Sequence, residues 1–576
     1  MRWLRSYRAE TCSGSDRGGT REPAIERQDR NPGVQRLLAS LIGPMISLKT
    51  GLKTSPKTSL KTSLKTSSLL SPGRLSTFAY AGRHPAGSDL PVLDLPGPPA
   101  CRYARPRPRG GRMATRAPQE LTRTLAEFAA TLRSEYLPER SREHCKNLIL
   151  DALACALAGH QGEETGQVMA LASALAQGNE SSVIGGGHLS LAGATLFNGY
   201  LITAVTMCDV HRATMTHVTP EIVPPALAIA ERDHISGRAL LAAIAAGCEV
   251  TTRIGLGLDY PVFRAHGWHG PGIIGPFGAA AAVGSLLEFD ADTMVRAFGL
   301  AGSQAAGTFA AWGTPTVKFH QCRGALSGLM AALLAQQNFA ATREFLTAKD
   351  GGLYNSYAEG GKPEAATAEL GRRFELERVA LRLWPSATLI QGLNTALFEL
   401  VDKHRIDAAR VRHVGVALSQ NAFDLHGRFG AYKGKFEALL SAHYVAAAIL
   451  HDGVLTLAQF APERYDDPVL RAFAGEKVDV RPDSSVAGSA AKVEVVMNNG
   501  TRYAARCDHP LGSFENPLSR AQIEQKFRTY AAGVLPQSHI DQVVGAIGQL
   551  ETFSSVRKLM DLLRVRPRAR AMVAAE

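Results

Sequence analysis

The eight cysteines, at 12, 101, 145, 155, 208, 248, 322 and 507, never stand in a C-x-x-C pair or in a tight cluster. Their scatter excludes a sequence-local zinc site or iron–sulfur centre and fits reduced, cytoplasmic usage better than a disulfide framework. Long hydrophobic runs are missing as well. No uninterrupted apolar stretch reaches the ~18 residues that mark a membrane span, so no membrane association is expected. An excess of basic charge is absent from most of the chain. The net charge is +12, but residues 1–112 hold 20 Lys+Arg against 7 Asp+Glu, and residues 113–576 hold 44 against 45. A nearly neutral body of that length argues against a nucleic-acid partner.

The basic front end has its own character. "LKTGLKTSPKTSLKTSLKTSS" repeats Lys-Thr every four residues from 49 to 65, and "PGPPACRYARPRPRGGR" follows. Such composition cannot bury a core, and residues 1–112 are expected to be a disordered, low-complexity extension. The acids of "REPAIERQDR" argue against an organellar transit peptide. A basic arm for an anionic partner is one reading of this segment. The expectation here is that it is not native coding and that the protein begins at Met113, just ahead of helical patterning.

From 113 to 380 the pattern is helical. Leu121, Leu125, Phe128 and Leu132 share one face, and a second helix opens with Pro138 in its first turn and closes on Gly159. Further helices are predicted near 164–176, 190–206, 224–233, 237–252, 276–288, 291–303, 323–338 and 342–348. Residues 381–516 read as α+β: strands near 410–418 and 477–482, a hairpin turning at Asn499-Gly500, and helices near 388–403 and 437–451. Residues 517–570 are helical again. The predicted fold is mainly α, a large all-α helical domain from 113–380 and 517–570 with a smaller inserted α+β lid domain.

Chemistry concentrates in three places. "GPGIIG" at 270–275 fits G-x-G-x-x-G, but no strand precedes it, which excludes a dinucleotide site. "MCDVHRATMTHVTP" (207–220) packs Asp209, His211 and His217 together. The histidines are six apart and would diverge by about 240° on a helix. Pro220 disfavours helix at Thr219, and Pro224-Pro225 suggest a new helix start, so an irregular loop is predicted. A metal site, an acid/base site and a plain polar loop all remain open for it. "RAHGWHGPG" offers His266 and His269, and "GTPTVKFHQCRGALSG" offers Lys318, His320 and Arg323. Each group lies at the end of a small-residue helix, where helix N-termini and cations favour carboxylates and histidines move protons near neutral pH. Enolate-type chemistry on a polycarboxylic acid suits that combination.

"FNGYLITAVTMCDVHRATMTHVTPEIVPPALAIAE", "GWHGPGIIGPFGAAAAVGSLL", "TVKFHQCRGALSGLMAALLA", "FLTAKDGGLYNSY" and "LSAHYVAAAILHDG" resemble the MmgE/PrpD family. That family includes 2-methylcitrate dehydratase, cis-aconitate decarboxylase and iminodisuccinate epimerase. The resemblance covers about 117–570 and implies a helical domain with an inserted lid, a homodimer and no cofactor. It also implies roles. His217 matches the family's histidine ahead of its V/P-S/T-P segment, and His269 that of its G-F-H motif. Lys318 matches the lysine before the small-residue helix, Tyr444 the tyrosine of the lid helix, and Asp209 one acid of a D-F-D-D-T run.

The chain departs from the family pattern at several positions. Met207 and Val210 replace aspartates of that run and His211 its threonine. Arg382 replaces the lysine of K-x-Y-P-S, Ala387 stands where cysteine or histidine is usual, and His320 comes one position early. The expectation is a cofactor-free lyase, 2-methylcitrate dehydratase-like or cis-aconitate decarboxylase-like, acting on a small di- or tricarboxylate without a metal. His217, His269, Asp209, His211, Lys318 and Tyr444 would be catalytic; Lys318, Arg323, Arg382 and His320 would bind substrate. An epimerase of a dicarboxylate, or a non-enzymatic carboxylate- or metal-binding protein, are the alternatives.

Overall fold

Small residues decide how the helices of this protein meet. A Cβ on Gly247 would lie 2.7 Å from the carbonyl oxygen of Gly278, and one on Gly278 would lie 2.6 Å from that of Gly247. Only glycine lets the two backbones cross so closely. The computed structural model describes residues 121–430 and 432–565, all within one compact unit. The expectations for residues 1–112 and for a start at Met113 fall outside the described residues.

The first stretch holds α1 (Leu121–Thr131), α2 (Glu139–Gly159), α3 (Thr165–Leu175), α4 (Leu191–Thr203), α5 (Thr219–Arg232), α6 (Gly237–Gly257), α7 (Tyr260–Ala265), α8 (Gly270–Leu286), α9 (Ala291–Gly302), α10 (Thr316–Gln336) and α11 (Leu353–Ala358). Two short pairings accompany them: β1 (Ser181–Ser182) with β2 (His188–Leu189), and β3 (Val210–His211) with β4 (Val379–Ala380). Their buried side chains form one hydrophobic core. Three helices far along the chain, α18 (Arg520–Ala531), α19 (Gln537–Gly548) and α20 (Arg557–Leu563), contribute to that same core.

A second core lies between a four-stranded sheet and helices. The sheet has the order β6-β5-β7-β8, where β5 is Val411–Leu418, β6 Val478–Pro482, β7 Ala491–Met497 and β8 Arg502–Cys507. β5 runs parallel to β6 and antiparallel to β7, and β7 and β8 form the hairpin, with Gly500 at positive φ in its turn. Alternate residues of β5 are buried, so one face meets the helices α12 (Gln391–His404) and α15 (Ala442–Asp452). α13 (Gln420–His426) and α14 (Lys435–Leu440) lie between β5 and α15 in sequence, and α16 (Pro462–Tyr465) and α17 (Pro468–Glu476) between α15 and β6.

The protein is mainly α, as its patterning implies, but several helix starts differ from expectation. α5 begins at Thr219 and keeps Pro224 and Pro225 inside it; α8 begins at Gly270 and α10 at Thr316. Nearly every residue of α5 and α8 is buried, and burial outweighs the poor propensity of their Gly- and Pro-rich first turns. Residues 342–348 are not helical. There the carbonyls of Phe345 and Leu346 accept N–H groups of Leu353 and Tyr354, so the segment folds back on α11 instead. α6 is long and apolar enough to cross a membrane, yet it is buried in the core and carries the fully buried Arg253–Glu249 pair at 2.7 Å. It is a core helix.

Candidate active site

One buried carboxylate organises the turn between α4 and α5. Asp209 accepts the backbone N–H of Val218 (2.9 Å) and Thr219 (3.1 Å) together with the Thr219 hydroxyl. These are donors that the first turn of α5 would otherwise leave unsatisfied. Burial raises the Asp209 carboxyl to about 6 despite those hydrogen bonds. Its side chain therefore holds the helix start, while its backbone serves a second purpose. The Asp209 carbonyl accepts from Nδ1 of His217 at 2.7 Å. A carbonyl only accepts, so Nδ1 carries the proton and Nε2 is the basic nitrogen. Burial, reinforced by the nearby Arg382 charge, pushes His217 down to about 3, and the ring is neutral at neutral pH.

His217 lines a cavity between the two cores, together with His269, Lys318, Arg382 and His426. His269 immediately precedes α8, its backbone N–H bound to the Gly307 carbonyl, and its Nδ1 lies 3.0 Å from Nδ1 of His320. One of that pair donates to the other, so they share a proton. Burial drives His269 well below the ordinary imidazole range, and the neighbouring His320 adds to the effect. His426, at the end of α13, donates Nδ1–H to the Leu440 carbonyl at 2.9 Å and is lowered by burial to about 4. Three neutral imidazoles thus line one cavity.

The cations differ in how free they are. Lys318, in the first turn of α10, has its Nζ 3.4 Å from Glu164 and 4.4 Å from the centroid of Phe436. Burial lowers its pKa. Arg382 donates Nε–H to the Cys208 carbonyl (2.6 Å) and an Nη–H to the Ser386 carbonyl (3.0 Å), and touches the Cys208 sulfur at 3.6 Å. Two of its five N–H groups are left for a ligand. Arg264, from α7, also lines the cavity.

The structure does not bring every expected residue to this cavity. Arg323 spends its guanidinium on the carbonyls of Gln304, Gly272 and Ala306 and on Ser327, tying the segment before α10 to the start of α8. His211 faces away from the lining, with Nδ1 2.8 Å from the Thr214 hydroxyl and Nε2 3.4 Å from Glu375. Tyr444 sits in the second core between Tyr432 and Phe460 and donates its hydroxyl to the Gln459 carbonyl. His320 stands behind His269. His426 and Arg264 were not singled out from sequence. His426 had a signal, since it precedes a glycine at a helix end as His269 does.

The cavity gives about 100 Å³ to the centre of a water-sized sphere. One water needs roughly 10–15 Å³ on that measure, so the space suits a small organic acid. Residues 123–366 match the model of the MmgE/PrpD N-terminal domain, and residues 384–547 that of the MmgE/PrpD C-terminal domain. The chain belongs to the MmgE/PrpD family.

In this member the cavity lies at the seam of the two family domains. His217, His269 and Lys318 come from the first, and His426 and Phe436 from the second. Among relatives, the chain is 26% identical over 469 residues to the cis-aconitate decarboxylase-like protein oryM of Aspergillus oryzae, covering 77% of this chain and 97% of that one. It is 25% identical over 472 residues to cis-aconitate decarboxylase of Aspergillus terreus (77% and 96%) and 24% identical over 469 to that of Homo sapiens (77% and 95%).

Proposed function

We propose that the protein is a cofactor-free lyase that acts on a small di- or tricarboxylic acid by moving a proton at the carbon α to a carboxylate. Its relatives make a cis-aconitate-like acid and loss of carbon dioxide the first reaction to test. The observation that carries the reading is the pairing of three neutral imidazoles with the buried cations Lys318 and Arg382 around one small cavity.

In a decarboxylation, the bond between carbon and the leaving carboxylate breaks and carbon dioxide departs. The electron pair stays on carbon, conjugated with a neighbouring carboxylate whose growing charge Lys318 and Arg382 stabilise. A histidinium then delivers the proton to carbon. In a dehydration, a neutral histidine would instead take the α-proton, and a second histidine, protonated once the substrate carboxylates are bound, would give its proton to the departing hydroxyl, which leaves as water. His217 suits either task. A bound carboxylate offsets the Arg382 charge and favours the imidazolium, and the Asp209 carbonyl already holds its Nδ1–H.

Incubation with cis-aconitate, methyl-substituted citrates and simple dicarboxylates in deuterium oxide, followed by NMR, tests this. New alkene signals with deuterium incorporated at carbon are expected for one acid. Deuterium wash-in without loss of carbon dioxide or water would replace the lyase by an epimerase. No exchange and no product from any of these acids would overturn the reading.

A further inference from the structure

Arg264 differs from every other cation at the cavity. Among the described residues its guanidinium has no ion pair and no hydrogen bond. Asp259, the acid just before it in sequence, holds Lys362 at 3.0 Å, and Glu359 holds His266, two residues after it, at 2.9 Å. Its guanidinium carbon lies 3.4 Å from the centroid of Phe309, and Phe309 stacks on Trp312 with centroids 4.9 Å apart and planes at 9°. The aromatic segment is itself anchored, since Phe309 N–H donates to the Gly267 carbonyl at 2.7 Å and Thr308 bridges to Trp268. Stacking fixes one face of the guanidinium and leaves all five in-plane N–H groups for a partner.

The positions of the cations are complementary. Arg382 stands beside His217, Arg264 beside His269, and Lys318 on Phe436. Proton carriers are thus flanked by separate anion-binding groups rather than served by one cluster. We propose that Arg264 is a specificity-determining residue that forks onto a third substrate carboxylate, so that the protein selects tricarboxylates over dicarboxylates. This rests on the reading of the cavity as a polycarboxylate site. It explains why an arginine with no acidic partner is held on the cavity wall by an aromatic ring.

Calorimetric titration of the full chain with propane-1,2,3-tricarboxylate and with glutarate, the same carbon chain without the central carboxylate, separates the possibilities without requiring turnover. The unaltered protein is expected to prefer the tricarboxylate. Arg264→Gln should weaken the tricarboxylate by about 10- to 100-fold, the range for charge-assisted hydrogen bonds, and collapse the preference between the two acids. Arg264→Lys, which keeps the charge without the fork or the stack, should restore only part of it. Lys318→Gln should weaken both acids. Unchanged melting temperature in the Arg264 variants would show that they fold. If Arg264→Gln leaves the tricarboxylate within about 3-fold, or weakens both acids equally, while Lys318→Gln still impairs binding, the assignment of Arg264 falls and the polycarboxylate site stands. If the unaltered protein binds neither acid, the site reading falls and this inference falls with it.

Discussion

At the residue scale, Asp209 and His217 divide one structural arrangement between side chain and backbone. The Asp209 carboxylate satisfies the start of α5, and its carbonyl sets the tautomer of His217. The two substitutions should therefore separate. His217→Ala is expected to lower turnover by ~10²–10⁴-fold, the usual contribution of a positioned acid or base. Its melting temperature should move little, because one hydrogen bond from a half-buried ring is worth about 1 kcal/mol. Asp209→Ala should do the reverse in emphasis. Loss of a helix-cap acceptor costs ~1–2 kcal/mol and lowers the melting temperature, while the carbonyl that holds His217 remains. Thermal melts and steady-state rates on both variants check this; equal rate losses with equal melts would contradict the division. Arg323 shows the limit of reasoning by residue type. An arginine ahead of a helix reads as an anion clamp, yet four acceptors within the fold already use its donors.

Elements in this protein are held by close backbone approach more than by propensity. The α6–α8 crossing has no room for a methyl at Gly247 or Gly278. Gly247→Ala should thus destabilise by about 1–3 kcal/mol, the usual cost of overpacking a dense core. Gly545 in α19 is the control. Nothing lies within 4 Å of a Cβ built there, and its φ is not positive. Gly545→Ala is expected to stabilise by about 0.4–1 kcal/mol through the unfolded chain and helix propensity. Chemical denaturation of both variants gives the two signs directly. The same packing explains why α5 and α8 start earlier than their sequences suggest. Proline and glycine in a first turn count against a helix locally, but burial of almost every residue decides for it.

For the whole molecule, the histidines with lowered pKa dictate a response to acid. His217 lies at about 3, His426 at about 4 and His269 well below the ordinary range, against about 6.5 in an unfolded chain. Between pH 6.5 and 4 the unfolded chain binds protons that the folded protein refuses. The stability these neutral rings allow is present above pH 6.5 and is lost as the pH falls toward 4. Asp209, raised to about 6, acts in the opposite sense: it takes a proton more readily when folded, so its contribution grows as pH falls through 6. Asp151, Glu221 and Glu249 are raised by burial as well, and His144, His320, His443 and His451 are lowered by it, so seven histidines stand against four carboxylates among the described residues and predict a net fall in melting temperature from pH 7 to 5. A flat profile would show that the histidines titrate normally. The acid limb of kcat/KM for the free enzyme should likewise lie below the pH 6.5 of an unperturbed imidazole.

The family, the mainly α class and the Asn499-Gly500 hairpin are legible in the sequence, which also singles out His217, His269, Lys318 and Arg382, four residues that line the cavity. Each of these is carried by a local run of residues or by a period that repeats within one element. Which charged groups are free depends on how distant segments pack. Arg323 and Arg264 look alike in sequence, but the fold surrounds one with carbonyls and sets the other on Phe309 without a partner. His211 and His217 lie six residues apart, yet pairing of β3 with β4 and the Asp209 cap place one against Glu375 and the other on the cavity wall. The meeting of His426 with His217 joins residues more than 200 positions apart across the two cores. No local pattern encodes that distance; it follows from how the two cores pack around one cavity.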